Sequence, residues 1–140
     1  MKQLNARAGK AALEMGAHAA TDITGLGFIG HAQEMVQASG VGMRIHFRDI
    51  PFMEGARFYA EKGIFPGGAY DNFQYYRDYV RFNTDLSELK KLLLFDPKTS
   101  GGLLLAVDEG IYEDFISHQI TSRLFWKIGE IIQEKQIIIT

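Results

Sequence analysis

Thr21-Asp22-Ile23-Thr24-Gly25-Leu26-Gly27-Phe28-Ile29-Gly30-His31 is the stretch of the chain from which its fold can be worked out. A carboxylate and two hydroxyls precede three spaced glycines, and the apolar spacing that follows predicts an amphipathic helix. Because the first turn of a helix has unpaired N–H groups and the positive end of the dipole, this turn could hold a phosphate. Asp22 would repel a bare phosphate, but a carboxylate is a good ligand for Mg²⁺ beside a nucleotide. The stretch therefore indicates magnesium–nucleotide chemistry. In the alternative interpretation, Asp22 and Thr24 are plain helix caps.

Composition restricts the class of protein. The 140 residues are 46% hydrophobic, which predicts one domain over residues 1–140 with a substantial core. Fifteen basic and 17 acidic residues give a net charge of −2, which does not favour nucleic-acid binding. Apolar runs such as 92–95 are too short to cross a bilayer, and residues 1–7 lack the apolar core of a secretion signal. The absence of cysteine excludes disulfides and thiolate chemistry within the chain and is compatible with the cytoplasm.

Apolar periodicity and turn residues predict an alternation of helices and strands. Helices are expected at residues 4–15, 28–39, 53–62, 85–94 (capped by Thr84 or Asp85) and 111–119. Strands are expected at residues 18–24, 43–47, 103–107, 124–128 and 136–139, and the apolar run 103–107 suits a central strand. Residues 65–72 are predicted to be a loop from their composition. The fold class is therefore α/β or α+β, a layered mixed sheet with flanking helices.

Three other groups of side chains each allow two interpretations. Arg44, His46 and Arg48 alternate with apolar residues and could line an anion site, although a solvated strand face is the commoner use of such a pattern. The aromatic residues between Phe73 and Phe82 could stack on a nucleotide base, although core packing is more frequent. The histidines lack metal-ligand spacing, which favours structural or exposed roles for them.

Three ordered blocks resemble the C-terminal domain of selenophosphate synthetase (selenide, water dikinase). Residues 20–32 resemble the TD-[IV]-TGFGLLGHA block of that family, residues 65–72 its VPGGT-x-x-N loop, and residues 94–104 its LFDPQTSGGLL block. Residues 128–130 also resemble its late IGE strand. The order and spacing agree along almost the whole chain, which makes the set far more specific than a single glycine run.

The chain departs from the family pattern in several places. Leu26 and Phe28 exchange the usual Phe and Leu, Lys98 replaces a glutamine beside the third block's turn, and Ala69 replaces a threonine. The larger departure is that the family's N-terminal half has no counterpart here. That half holds a catalytic cysteine or selenocysteine, a lysine, most metal-binding aspartates and most of the ATP pocket. We therefore expect the chain to be an excised or naturally separate C-terminal domain.

The resemblance implies ATP-driven phosphorylation of selenide, which gives selenophosphate, AMP and orthophosphate. It implies ATP and Mg²⁺ held jointly with the N-terminal half, and a homodimeric full-length enzyme whose dimer is built mainly by that half. No catalytic residue is assigned to this chain, which is expected to be inactive in isolation. The resemblance makes Asp22 the metal ligand and assigns phosphate contact, or shaping of the two turns, to Thr24, Gly25, Gly27, Ser100, Gly101 and Gly102.

Two alternatives of different kinds remain. The first is another ATP-dependent enzyme of the same superfamily: thiamine-monophosphate kinase, aminoimidazole-ribonucleotide synthetase or a hydrogenase-maturation protein. The blocks at residues 21–25 and 96–102 together argue against it. The second is a stand-alone, non-catalytic binding or assembly module, which the missing half and the absence of cysteine favour for the chain in isolation.

Overall fold

The computed structural model describes residues 5–118 and 125–140, apart from the side chains of Arg7 and residues 114–118. Its helices are α1 (Ala6–Glu14), α2 (Gly27–Ser39), α3 (Ala56–Glu61), α4 (Gly67–Tyr76), α5 (Glu88–Leu92) and α6 (Glu109–His118). Its strands are β1 (Ala19–Asp22), β2 (Gly42–Ile45), β3 (Val80–Phe82), β4 (Leu103–Ala106), β5 (Gly129–Ile132) and β6 (Ile137–Ile139). Within these ranges no helix has the length and apolar character needed to cross a membrane.

A four-stranded mixed sheet carries most of the core. Its order is β3-β6-β2-β5, with β6 parallel to both of its neighbours and β5 antiparallel to β2. All of β6 is buried, with each residue at most 2% exposed, as expected for an apolar run in the interior of a sheet. Helix α2 packs against this sheet through Ile29, Ala32 and Val36, which recur at helical spacing. The predicted class, a mixed sheet with flanking helices, is confirmed.

A separate two-stranded sheet is formed by β1 and β4. They are antiparallel, with Ala19 opposite Ala106 and Asp22 opposite Leu103. The prediction that 103–107 is a central strand is therefore wrong. Only Leu104 of β4 is buried, because β4 pairs with β1 alone, and the interior position in the larger sheet belongs to β6.

The prediction of a loop over residues 65–72 is also wrong, because α4 begins within it. Pro66 is the extended residue before the helix (φ −68°, ψ 152°), and Gly67 and Gly68 occupy the first helical turn. Packing fixes this helix in spite of its loop-like composition. Ala69 is fully buried, and the Phe73 ring meets another core ring edge-on.

Several boundaries differ from those predicted. The C-terminal strand expected at 124–128 begins later, at Gly129, where the chain passes so close to the Arg44 carbonyl that no Cβ would fit. Leu124 itself, like Leu4 and Gln119 at the ends of two predicted helices, lies outside the described residues. Helix α5 starts after Ser87, whose hydroxyl accepts a hydrogen bond from the Lys90 N–H at 3.4 Å. Ser87 is therefore the cap, in place of Thr84 or Asp85.

The alternating polar residues of the second strand region do not form one face. The strand ends at Ile45, and Arg48 lies in a short 3₁₀ turn, exposed to solvent. Arg44 forms an ion pair with Glu130, and His46 Nδ1 lies 2.8 Å from the Thr140 hydroxyl. These partly exposed, paired groups favour the solvated-face interpretation over an anion site.

The aromatic residues between 73 and 82 divide between two environments. Phe73, Tyr76 and Phe82 are half-buried and pack against the core. Tyr75 and Tyr79 remain 68% and 45% exposed. The half-buried rings are core residues, and the two exposed tyrosines flank Tyr76 on the surface.

Candidate functional site

Pairing of β1 with β4 brings the first and third sequence blocks together. We call residues 23–27 the first glycine turn and residues 96–102 the second glycine turn. The Ile23 N–H donates to the Gly102 carbonyl at 3.0 Å, and the Gly101 N–H donates to the Ile23 carbonyl at 2.9 Å. The Thr24 carbonyl accepts from the Lys98 N–H at 2.9 Å and from the Gly27 N–H at 3.2 Å. Backbone hydrogen bonds therefore join the two turns directly.

Two of the predicted site glycines are required by this close approach. Gly27 has φ +71°, and a Cβ there would lie 2.6 Å from the carbonyl carbon of Phe95. A Cβ on Gly101 would collide with the Ile23 carbonyl oxygen. Side chains rarely adopt the positive φ of Gly27, so substitution there is strained for two independent reasons. The N–H groups of both glycines are already used within the turns.

Gly25 and Gly102 differ from those two glycines because they face solvent and have free space around the Cα atom. Both are exposed, and a Cβ on either would meet nothing within 4 Å. Their N–H groups have no acceptor among the residues that the structure describes. Ser100 is also exposed. The turns therefore separate into a buried pair of glycines that shapes the backbone and an open pair with free donors.

Helix α4 joins the site through one side chain that the sequence analysis did not single out. The Asn72 side-chain amide donates to the Gly25 carbonyl at 3.0 Å and to the Phe95 carbonyl at 2.9 Å. Both of its N–H donors are thus committed to backbone carbonyls, one inside the first glycine turn and one directly before the second. The sequence signal was the position of this asparagine at the end of the second block, although nothing local shows what it contacts.

Asp22 lies at the end of β1 with its side chain exposed. Within residues 5–118 and 125–140 its carboxylate has no ion pair or hydrogen bond, so it is free to bind a cation. It does not cap α2, whose N-cap position is Leu26 without a side-chain hydrogen bond. The same described ranges contain no group of three or more acidic or histidine side chains placed to hold a metal. A magnesium ion at Asp22 would take its other ligands from elsewhere, such as phosphates and water.

Thr24 does not cap the helix either, because its hydroxyl is held by His31. Thr24 Oγ1 lies 3.0 Å from His31 Nε2, and His31 Nδ1 lies 3.2 Å from a carboxylate oxygen of Glu34. His31 is only 8% exposed, whereas the Glu34 side chain is 60% exposed. The sequence favoured a structural or exposed role for His31 and gave Glu34 none. The helical i, i+3 spacing of this pair was the available signal.

Charges near the turns are mostly compensated. Lys98, which departs from the family pattern, forms an ion pair with Asp96 inside the second glycine turn.

Burial, and then the charge of Glu34, raise the pKa of Tyr76 above its ordinary value, with smaller contributions from Tyr75 and Tyr79. The edge of the Tyr76 ring lies against α2, where a Cβ on Gly30 would come within 2.9 Å of it.

The fold and these turns define a domain class. Residues 1–140 match the family described as AIR synthase related protein, C-terminal domain, and the chain belongs to that family. Its curated relatives include the selenide, water dikinase of Carboxydothermus hydrogenoformans, which is 43% identical over 116 residues. The selenide, water dikinase of Caldanaerobacter subterraneus is 46% identical over 109 residues.

The alignments cover unequal shares of the two proteins in each case. They include 83% and 78% of this chain but only 34% and 31% of those relatives, so the chain spans about a third of their length. A solved structure described as T. maritima PurL complexed with FGAR superposes with a TM-score of 0.58 at 14% identity. That superposition covers 96% of this chain and 17% of that one, and it supports the fold. The resemblance to selenide, water dikinase that the sequence blocks indicate is confirmed.

Proposed function

We propose that the chain is the C-terminal domain of a selenide, water dikinase. In that reaction ATP and water convert selenide to selenophosphate, AMP and orthophosphate. The observation that carries the proposal is the meeting of three separate sequence blocks at one place, around the two glycine turns. The identity of 43–46% to selenide, water dikinases extends over 78–83% of the chain.

The proposed role of Asp22 is to bind Mg²⁺ on the phosphates of the nucleotide. Phosphoryl transfer depends chiefly on positioning and on neutralising the charge of the phosphate oxygens, which a bound Mg²⁺ supplies. An exposed, unpaired carboxylate fits such an ion, because Mg²⁺ commonly takes one or two carboxylates together with phosphate oxygens and water. The other metal ligands belong to the N-terminal half of the enzyme in this proposal.

The two open glycines are the proposed phosphate contacts, together with Ser100. The free N–H groups of Gly25 and Gly102 can donate to phosphate oxygens, and the absence of side chains lets a ligand approach the backbone. Gly27 and Gly101 have a different role. Their N–H groups are used within the turns, so we assign to them the shaping of the backbone.

The proposed partners are ATP, selenide and the N-terminal half of the same enzyme. We propose that the full-length enzyme is a homodimer in the cytoplasm. The chain itself has no cysteine, and the part of it that the structure describes has no group of three or more acidic or histidine side chains placed to hold a metal. We therefore expect it to release no AMP by itself, since it cannot assemble the charge-stabilising groups of the transition state.

A chimera tests this function. The last third of the Carboxydothermus hydrogenoformans enzyme is replaced by this chain, and AMP and orthophosphate are measured with and without selenide. We expect AMP release that depends on selenide. A folded chimera that hydrolyses ATP equally well without selenide would indicate another enzyme of the superfamily. A folded chimera with no turnover would favour a non-catalytic module.

A further inference from the structure

We propose that Asn5 and Asn72 are positioning residues, each of which orients one free N–H group of a glycine turn toward the bound ligand. Asn5 acts on the N–H of Gly102, and Asn72 acts on the N–H of Leu26. The inference rests on the proposed function, in which phosphate groups of a nucleotide contact the two turns. It adds Leu26 to the proposed phosphate contacts and gives Asn5 a role that the sequence did not indicate.

The first step is that an asparagine side chain holds one carbonyl in each turn. The Asn72 amide donates to the Gly25 carbonyl at 3.0 Å. The Asn5 amide donates to the Gly101 carbonyl at 3.3 Å. These asparagines lie 47 and 96 residues along the chain from the carbonyls that they hold. Because only the amide nitrogen of an asparagine can donate, a carbonyl partner fixes which way the side-chain amide is turned.

The second step is the effect of these bonds on the neighbouring N–H groups. The peptide bonds of both turns are trans and planar, so the C=O and N–H of one peptide point in opposite directions. The Gly25 carbonyl shares its peptide with the Leu26 N–H. The Gly101 carbonyl shares its peptide with the Gly102 N–H. Neither N–H has an acceptor among the residues that the structure describes. An asparagine that holds the carbonyl therefore also sets the direction of a free donor.

The third step separates this role from helix capping in the case of Asn5. An asparagine at the N-cap position usually accepts a hydrogen bond from an N–H of the first helical turn. Asn5 is the N-cap residue of α1, but its side chain makes no such bond. Serine caps a helix equally well, whereas its hydroxyl ends one bond closer to the backbone than the asparagine amide. Asn5→Ser therefore keeps a capping residue and removes the contact with Gly101.

The fourth step separates the two bonds of Asn72. Its bond to the Phe95 carbonyl at 2.9 Å belongs to the fold, because Phe95 is fully buried. Gly25 is exposed, so water can satisfy its carbonyl without fixing the direction of the peptide. The bond to Gly25 is therefore the one that orients a donor toward a ligand.

The experiment uses the full 140-residue chain, labelled with ¹³C and ¹⁵N and titrated with Mg²⁺-ATP. NMR spectra resolve the backbone amide signals, and the response of each signal to the titration reports its contact with the ligand. We expect the Leu26 and Gly102 signals to move in the wild-type chain. In Asn5→Ser the Gly102 response should fall while the Leu26 response persists, and in Asn72→Ala the reverse should hold. Each variant should weaken Mg²⁺-ATP binding roughly three- to tenfold, as expected when one hydrogen bond is lost.

Matched variants make the test selective. Asn83→Ser makes the same chemical change at an exposed asparagine without a side-chain partner in the described structure, and it should alter neither response. Val80→Ala removes buried side-chain atoms from β3 and so destabilises the fold from the larger sheet. It should also leave both responses unchanged. Circular dichroism checks the fold of each variant, and if Asn72→Ala is unfolded, Asn5→Ser decides the proposal.

The proposal is overturned if Mg²⁺-ATP moves neither amide signal in the wild-type chain. It is also overturned if a folded variant leaves the response of its paired amide unchanged, or lowers both responses equally, as a purely structural role predicts. The chimera tests the proposed function separately. If it shows selenide-dependent turnover alongside any of these results, the enzyme function stands and the positioning role fails. If the paired responses are found while the chimera lacks selenide-dependent turnover, the positioning role stands and the proposed enzyme function fails.

Discussion

Asn72 holds three parts of the chain together, and its removal should loosen all of them. Its amide donates to carbonyls that precede it by 47 residues and follow it by 23. Neither carbonyl accepts a backbone hydrogen bond from the residues that the structure describes. Asn72→Ala leaves the Gly25 and Phe95 carbonyls without that donor, and the effect of the substitution can be worked out separately for each of them.

The two carbonyls differ in their access to water. Gly25 is exposed, so water replaces the lost donor there and the cost is roughly 0.5 kcal/mol. Phe95 is fully buried, so its carbonyl loses a partner that water replaces poorly, at about 1–3 kcal/mol. We therefore expect Asn72→Ala to lower the free energy of unfolding by roughly 1.5–3.5 kcal/mol, which for a chain of this size lowers Tm by roughly 5–15 °C.

Urea unfolding followed by circular dichroism measures this change. Asn72→Asp keeps the side-chain shape but cannot donate when ionised, so it should destabilise at least as much as alanine. Asn83→Ala is the matched control, because Asn83 is exposed and its side chain has no partner in the described structure. It should change the free energy of unfolding by less than about 0.5 kcal/mol. If Asn72→Ala behaves like Asn83→Ala at an unchanged denaturant slope, the two amide hydrogen bonds do not stabilise the fold as proposed.

Three further predictions concern the turns, an alkaline titration and the isolated chain. Gly27→Ala should cost roughly 3 kcal/mol or more, from its positive φ and its contact with Phe95, whereas Gly25→Ala should cost less than about 1 kcal/mol in the same urea assay. Because the pKa of Tyr76 is raised in the folded state, its contribution to stability is complete below about pH 10 and is lost as pH rises through the folded pKa. The free energy of unfolding should therefore fall less steeply with alkaline pH in Tyr76→Phe, and equal slopes would contradict this. Isothermal calorimetry of the chain alone should give a Kd for Mg²⁺-ATP on the order of millimolar, and a micromolar site would place most of the nucleotide pocket here.

Local features of the sequence were sufficient to locate the turns. Glycines in the first and third blocks indicated special backbone, and the structure shows why Gly27 and Gly101 need it. The helix after the first turn follows from apolar spacing, and α2 occupies residues 27–39 where 28–39 was predicted. Such features depend on residues that are close in sequence, which is why periodicity and turn chemistry detect them.

The remaining errors share a physical origin in contacts between distant segments. Strand β3 has only three residues and owes its existence to pairing with β6, more than 50 residues later. The loop-like start of α4 is helical because Ala69 and Phe73 are buried against other elements. Whether the strands form one sheet or two depends on which strands pair with each other. An apolar run such as 103–107 predicts a strand but does not identify the strands beside it.

Contacts around the two glycine turns were predictable only in part, for the same reason. The position of both turns follows from their glycines, and Asp22 stays a predicted metal ligand that the structure places, exposed, at the end of β1. Asn72 was missed because its partners are far along the chain. The relation of Thr24 to His31 crosses from a turn into a helix, so no single periodicity links them.

Substitution of Asp22 in the chimera tests the central claim most directly. If Asp22 holds Mg²⁺ on the transferring phosphates, Asp22→Asn should lower kcat for selenide-dependent AMP release by roughly 100-fold, with the fold intact by circular dichroism. Asp85→Asn is the matched control, since Asp85 is exposed, lies outside both turns and has no side-chain partner in the described structure. Near-normal turnover in a folded Asp22→Asn chimera, equal to that of Asp85→Asn, would contradict the account.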